Sequence, residues 1–465
     1  MHRTAVLNVV GLTRPIIGRD MPRLSAFLKE GAVATINPVL PAVTCTAQST
    51  YLTGLLPREH GIVANGWYNR ELAEVQFWKQ SNHLVRGRKV WEELRDANRG
   101  FTCAKLFWWY NMYSSADYSI TPRPIYPADG RKVFDIHTSP LSIRKEIKND
   151  LGEFPFPTFW GPAAGRATPQ GPPDAASRWI AESAKWIENK YQPTLNLIYL
   201  PHLDYNLQRL GPNDAAIASD LHAIDAIVGD LIAFFQGRSV RIVILSDYGI
   251  TSVDKPIHLN RVFRRHGWIT VKDELGLETL DCGSSRAFAV ADHQVAHVYL
   301  NDRSIESQLR SAIEAEPGVS RVYNRKEQKG IGLDHDRSGD LVAFAKEDAW
   351  FTYYYWLDDA VAPDFARCVD IHRKPGYDPV ELFIDPKLKL PKLKIAWRLL
   401  QKRLGFRMLM DLIPLDASLV KGSHGAAPSD SGYHPVIISQ QRELLRSAAI
   451  DPTEVYKIIK QHVLE

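Results

Sequence analysis

Residues 53–68 read TGLLPREHGIVANGWY. The preceding run, PAVTCTAQSTYLT over 41–53, reads as a helix that begins at Thr44 and Cys45 and ends at Gly54. Pro57 and Gly61 punctuate the chain after it and predict turns, with His60 exposed before Asn65. Thr44 offers a hydroxyl and Cys45 a thiol at a helix start, where backbone N–H groups point at an anion. Each also has a plain structural reading: Thr44 as a helix cap and Cys45 as a small buried thiol.

Working outward, the chain has 465 residues, 45% hydrophobic and 24% charged, which is enough apolar material for a large core. A net charge of +4 does not demand a polyanionic partner, and no nucleic-acid role is expected. Cys45, Cys103, Cys282 and Cys368 lie far apart and form no CxxC, so no disulfide framework is expected. The opening MHRTAVLNVVGLTRP has too short an apolar run for a leader or a span and reads as a first core strand, Ala5–Val10. The expectation is a cytoplasmic protein.

MPRLSAFLKEGA reads as a helix, with Pro22 near its start and Gly31 past its end. TLNLIYL and SVRIVIL are buried-type strands. Between them a helix is predicted from about Asp214 to Phe235, because Ile217, Leu221, Ile224, Ile227 and Leu231 recur at spacings of three and four. Strand, helix, strand predicts a mostly parallel sheet whose ligands bind beyond the carboxyl ends of the strands. Asp204 and Asp247 fall at that edge. The aromatic, Pro-rich 106–130 does not read as a regular element and is expected to be a lid. Residues 256–420 read as less regular.

These pieces, in this order, resemble the alkaline phosphatase superfamily, and within it the nucleotide pyrophosphatase/phosphodiesterase and phosphonoacetate hydrolase branch. The resemblance is carried by residues 53–68, by SGDLV at 338–342 and by GSHG at 422–425. It implies a three-layer α/β/α sandwich with a mostly parallel central sheet: one core over 1–465, with cap or lid insertions at about 66–190 and 256–420. It also implies a Thr nucleophile, Thr44, an Asn that holds the phosphoryl group, Asn65, and two divalent ions. Position by position, one ion falls to Asp204, Gln208 and His424. The other falls to Val10, Thr44, Asp247 and Tyr248.

This chain departs from the family pattern at Val10, Gln208 and Tyr248, where the family has an Asp and two His. Val ligates nothing, Gln offers one neutral oxygen better suited to Mg²⁺, Mn²⁺ or Ca²⁺ than to Zn²⁺, and Tyr ligates only as phenolate. One ion (Zn, Mg or Mn) rather than two is therefore expected, at Asp204, Gln208, His424 and Asp247. His202, His335, Asp336, Asp370 and His372 are candidates to replace lost ligands. Cys45 lacks the C-x-P-x-R context of sulfatases, so that chemistry is not expected.

The resemblance implies a metal-dependent hydrolase of a phosphoester, pyrophosphate or phosphonate that takes a small anionic phosphorus-containing substrate. Two alternatives stay open: a degenerate binding protein of the same fold, and a phosphoryl-transferring isomerase. The loop DIHRKPGYDP (370–379) offers His372 and Lys374, beside Tyr248, as candidate substrate contacts. Its other reading is a turn with solvated charges. FWWYNMY (107–113) reads as lid packing before it reads as a pocket. Residues 387–410 alternate basic and apolar residues. A helix packed on the core is the favoured reading, and a peripheral membrane contact the alternative.

Overall fold

Thr4–Val9 is apolar apart from Thr4 and Asn8, and every residue of it is buried. In the computed structural model, which describes residues 1–169 and 171–465, it is the central strand of a nine-stranded sheet. It pairs in parallel with Leu195–Leu200 on one side and Arg241–Leu245 on the other, with Leu7 opposite both Ile198 and Ile244. A strand buried on both faces is what a continuous apolar run predicts. The sheet order is Ala449–Ile450, Ala32–Ile36, Val436–Ser439, Arg241–Leu245, Thr4–Val9, Leu195–Leu200, Cys103–Leu106, Tyr118–Pro122, Ile136–Ser139. Val436–Ser439 and Ile136–Ser139 run against the rest.

Helices cover both faces. Pro22–Glu30 and Ala175–Tyr191 pack with the long helix Ile217–Gln236, and Thr44–Thr53 and Val90–Ala97 pack with Glu454–Leu464. The expected mixed α/β fold with a mostly parallel sheet is therefore present. The long helix begins three residues later than its periodicity suggested, because Asp214 and Ala216 form turns ahead of it.

Two sequence expectations are overturned. The aromatic, Pro-rich stretch contains a sheet strand, Tyr118–Pro122, and Phe107 and Trp108 lie in the main core rather than in a lid. Pro122 is tolerated because it ends its strand. Residues 256–420 are more regular than they read. Ala287–Asp292, Val295–Leu300, Leu341–Ala345 and Val319–Asn324 form an antiparallel sheet with its own hydrophobic core. The first two of these strands close on a two-residue turn, His293–Gln294, in which His293 has φ +59°. That turn points a hairpin tip at the carboxyl edge of the large sheet.

Candidate active site

The helix Thr44–Thr53 starts at the carboxyl edge of the sheet, and Val43 is its cap residue, with no side-chain cap. Thr44 is the first helical residue, so the capping reading does not hold. Its Oγ1 lies 3.2 Å from the hydroxyl of Tyr248. Asn65 braces the helix start: its Oδ1 accepts from the Cys45 backbone N–H at 3.0 Å. The Asn65 amide nitrogen donates to Asp292 Oδ1 at 3.1 Å and its backbone N–H to Asp292 Oδ2 at 2.8 Å. One Nδ2 hydrogen of Asn65 is left beyond these bonds.

Asp204 and Gln208 sit one turn apart on the helix His202–Leu210 and therefore share a face. Gln208 Nε2 donates to Asp204 Oδ2 at 2.9 Å, and the Tyr248 hydroxyl donates to Asp204 Oδ1 at 3.1 Å. Gln208 Oε1 accepts from the Tyr377 hydroxyl at 2.8 Å. A phenol has one hydrogen, and Tyr248 gives it to Asp204. Thr44 is therefore the donor to Tyr248. The result is a directed chain, Thr44 to Tyr248 to Asp204, with the buried Tyr199 hydroxyl also beside Thr44.

Below this chain four rings stack. Tyr248 lies on His424 with centroids 3.5 Å apart, His424 on His293 at 3.7 Å, and His293 on Tyr377 at 3.6 Å. His424 Nδ1 donates to the Ala42 carbonyl at 2.8 Å, and its buried Nε2 has no hydrogen-bond partner. His293 Nδ1 lies 2.7 Å from Asp292 Oδ1. The loops carrying His424 and His293 are tied by Gln294 N–H to the His424 carbonyl at 2.8 Å. Gly425, at φ +120°, permits that approach, since a Cβ there would stand 3.0 Å from Gln294 N.

Burial sets the charge states. It raises Asp204 to about 6, Asp292 to about 6 and Asp247 to about 8, the last helped by the nearby Asp204 charge. Burial holds the imidazoles of His293 and His424 well below their ordinary value, so both are neutral. It also keeps Tyr248 a phenol, well above its ordinary value.

The structure brings Thr44, Asn65, Asp204, Gln208, Tyr248, Asp247 and His424 together, all buried, at one edge of the sheet. It does not make a metal centre of them. Both Asp204 oxygens accept hydrogen bonds, the Gln208 oxygen is spent on Tyr377, and Val10 is packed in the core. Among the described residues no group of three or more His, Cys, Asp or Glu could hold a metal ion. As hydrogen-bonded here, Asp204, Gln208 and His424 do not fit the expected ion without giving up those bonds. Asp247 and His424 Nε2 are the unspent donors, and they do not fit a resident divalent pair.

Three of the candidate replacement ligands, His202, His335 and His372, are engaged elsewhere. His202 lies 3.1 Å from Asp220, and the His335 imidazole nitrogen Nδ1 takes the Arg337 N–H. His372 is bonded to the Phe77 carbonyl. Lys374, a candidate substrate contact, is buried against Asp378 at 2.7 Å and Glu381 at 2.8 Å, so its charge is already neutralised. His60, expected to be exposed, is buried and lies 3.0 Å from Thr50 Oγ1. The sequence reading missed Asp292 and His293, and reached Tyr377 only as part of the loop at 370–379. The adjacent Asp-His at the end of an alternating run was the available signal. Only the hairpin's tertiary placement gives it meaning.

The family described as Type I phosphodiesterase / nucleotide pyrophosphatase matches residues 4–378. An uncharacterized pyrophosphatase/phosphodiesterase of Schizosaccharomyces pombe is 23% identical over 240 residues, 50% of this chain and 41% of that protein. The chain thus spans less than half the length of that relative. Among solved structures, murine ectonucleotide pyrophosphatase/phosphodiesterase 5, in an inactive variant bound to AMP, superposes with TM-score 0.58 at 14% identity. That match covers 100% of this chain and 95% of that one. Phosphonoacetate hydrolase from Sinorhizobium meliloti, with phosphonoformate, gives TM-score 0.57 at 14% identity over 99% and 96%.

Proposed function

The chain belongs to the Type I phosphodiesterase / nucleotide pyrophosphatase family of hydrolases, and from that premise we propose that it hydrolyses a small anionic phosphoester, pyrophosphate or phosphonate with Thr44 as nucleophile. The family is generally dependent on divalent metal. Here the positions that would hold the ions are filled by a hydrogen-bonded relay. The observation that carries the reading is the direction of that relay: Thr44 donates to Tyr248, and Tyr248 donates to Asp204.

As the Thr44 oxygen attacks phosphorus, its proton passes to Tyr248 while the Tyr248 proton passes to Asp204. Asp204, held at about 6, is ionised at neutral pH and able to accept it. The helix N-terminus and the remaining Asn65 Nδ2 hydrogen are the donors for the phosphoryl oxygens. The bond to the leaving group breaks, and water then hydrolyses the phosphothreonine. The ligands in the related structures, AMP and phosphonoformate, support a small phosphorus anion as the substrate class. A screen of chromogenic diesters, monoesters and phosphonates, with and without chelator, tests this. Turnover that survives chelator and vanishes in Thr44→Ala supports it, and no turnover of any class overturns it.

A second reading is a degenerate binding protein. The specific observation in its favour is the four-ring stack together with the burial of Thr44, Asn65 and Asp292. Binding of AMP or a phosphonate without turnover would favour it.

A further inference from the structure

The helix Pro391–Arg403 is mounted the wrong way round for a soluble protein. None of its residues is buried. Its inward side carries Lys394 and Arg398, which meet Asp411 at 2.8 Å and 3.0 Å. Its outward side carries Leu393, Trp397, Leu400 and Leu404 at spacings of four, three and four, a single stripe. Leu393 is 64% exposed, Trp397 58% and Leu404 64%, and Phe406 just beyond is 66% exposed. This contradicts the expectation of a helix packed on the core with its basic face in water.

A helix of this length is marginal in water without a packed face, so a cover for the stripe is required. Its charge says what kind. Residues 387–410 contain eight Lys and Arg and no Asp or Glu. Two copies meeting on this face would bring like charges together, whereas an anionic surface would be attracted. A second segment shares the character. Ile125 and Val133 bridge a hairpin that exposes Ile125, Tyr126 and Phe134 beside Arg123 and Lys132, with Arg131 paired to Asp129 at 2.6 Å. Its turn residue Gly130 lies against Arg407, whose Nε is 3.3 Å from where a Cβ on Gly130 would stand. The two segments, far apart in the chain, therefore adjoin.

We propose that the stripe Leu393, Trp397, Leu400 and Leu404 docks on an anionic phospholipid bilayer, lying in the plane of the interface with the flanking Lys and Arg on the head groups. Apolar side chains with Trp on one face and basic residues beside them are the composition of interfacial helices. No helix among the described residues is long and apolar enough to cross a membrane, so the contact is peripheral.

The test is co-sedimentation of the full chain with phosphatidylcholine vesicles, with and without phosphatidylserine. Native protein is expected to pellet only with the anionic vesicles. Two triple variants should each lose about tenfold or more in partitioning at an unchanged melting temperature: Leu393→Gln with Trp397→Gln and Leu400→Gln, and Lys392→Glu with Lys402→Glu and Arg403→Glu. Both leave the Asp411 pairs intact. Native protein that stays in the supernatant overturns the proposal, as does binding that survives both variants. A concentration-dependent dimer abolished by the Gln variant, without vesicle binding, also overturns it and assigns the face to a second copy.

Discussion

The phenol ring of Tyr248 lies flat on the imidazole of His424, with centroids 3.5 Å apart and planes 8° apart, while its hydroxyl bridges Thr44 and Asp204. One side chain thus fills space and links Thr44 to Asp204 where the family pattern calls for a metal-binding imidazole. The consequences can be measured.

Protein purified without chelator should retain less than one equivalent of zinc through dialysis. Restoring the family's donors with Val10→Asp, Gln208→His and Tyr248→His together should create tight divalent binding, since three protein ligands return to the set. Two equivalents of zinc in the native chain would contradict the fit drawn above.

Thr44→Ala should lower turnover on the order of 10⁴-fold or more, as loss of a covalent nucleophile does. Cys45→Ala should keep most of it. Cys45 is wholly buried, and burial holds its thiol well above the ordinary value, so it is not a thiolate. A Cys change that is fatal while the Thr change is tolerated would reverse the assignment.

Tyr248→Phe keeps the ring stack and removes the relay. Turnover should fall by about 10²–10⁴-fold, the usual worth of a general base, with the melting temperature little changed. In the native enzyme kcat/KM should rise through about pH 6 as Asp204 ionises, and this limb should be lost in the variant. A limb that persists in Tyr248→Phe would place the base elsewhere.

Above about pH 6.5, stability should fall with rising pH. A buried carboxyl whose folded pKa lies above its unfolded value holds its proton better in the native chain. Its contribution is full below the unfolded value and is lost as pH rises through the folded one. Asp204 and Asp292, raised from 3.8 to about 6, and Asp247, raised from 3.8 to about 8, all act in this direction. Buried imidazoles such as His293 and His424, held below their ordinary value, act the opposite way below about pH 6.5. The decline should therefore show in thermal melts between about pH 6.5 and pH 8, where Asp247 titrates. Asp247→Asn should flatten the upper part of that decline. A midpoint that climbs over the same range refutes it.

Lys374→Met should cost about 3–5 kcal/mol of stability, because it leaves Asp378 and Glu381 buried without their cation. Denaturant titration reads this directly. A change in KM with no loss of stability would restore Lys374 as a substrate contact.

Much of the layout was legible in local pattern. Thr4–Val9, Leu195–Leu200 and Arg241–Leu245 are runs whose side chains face packed layers on both sides, so their composition alone marks them as central strands. Residues 53–68, SGDLV and GSHG in that order, with the strand ends, carried the family's frame and the expected places of Thr44, Asn65, Asp204 and His424. Tyr118–Pro122 was not legible, because its strand character comes from pairing with Cys103–Leu106 rather than from its own aromatic and Pro-rich neighbourhood.

The sequence by itself determined which residue types stand at the site, and that Val10, Gln208 and Tyr248 break its metal pattern. Only the tertiary structure decided how the side chains at those positions meet. Hydrogen-bond direction and ring stacking depend on side chains from segments hundreds of residues apart: Thr44, Asp204, Tyr248, His293, Tyr377 and His424. The same holds for the helix Pro391–Arg403. Its pattern states that it is amphipathic, but which face turns outward depends on Asp411, whose carboxylate draws the basic side inward and leaves Leu393 and Trp397 in water.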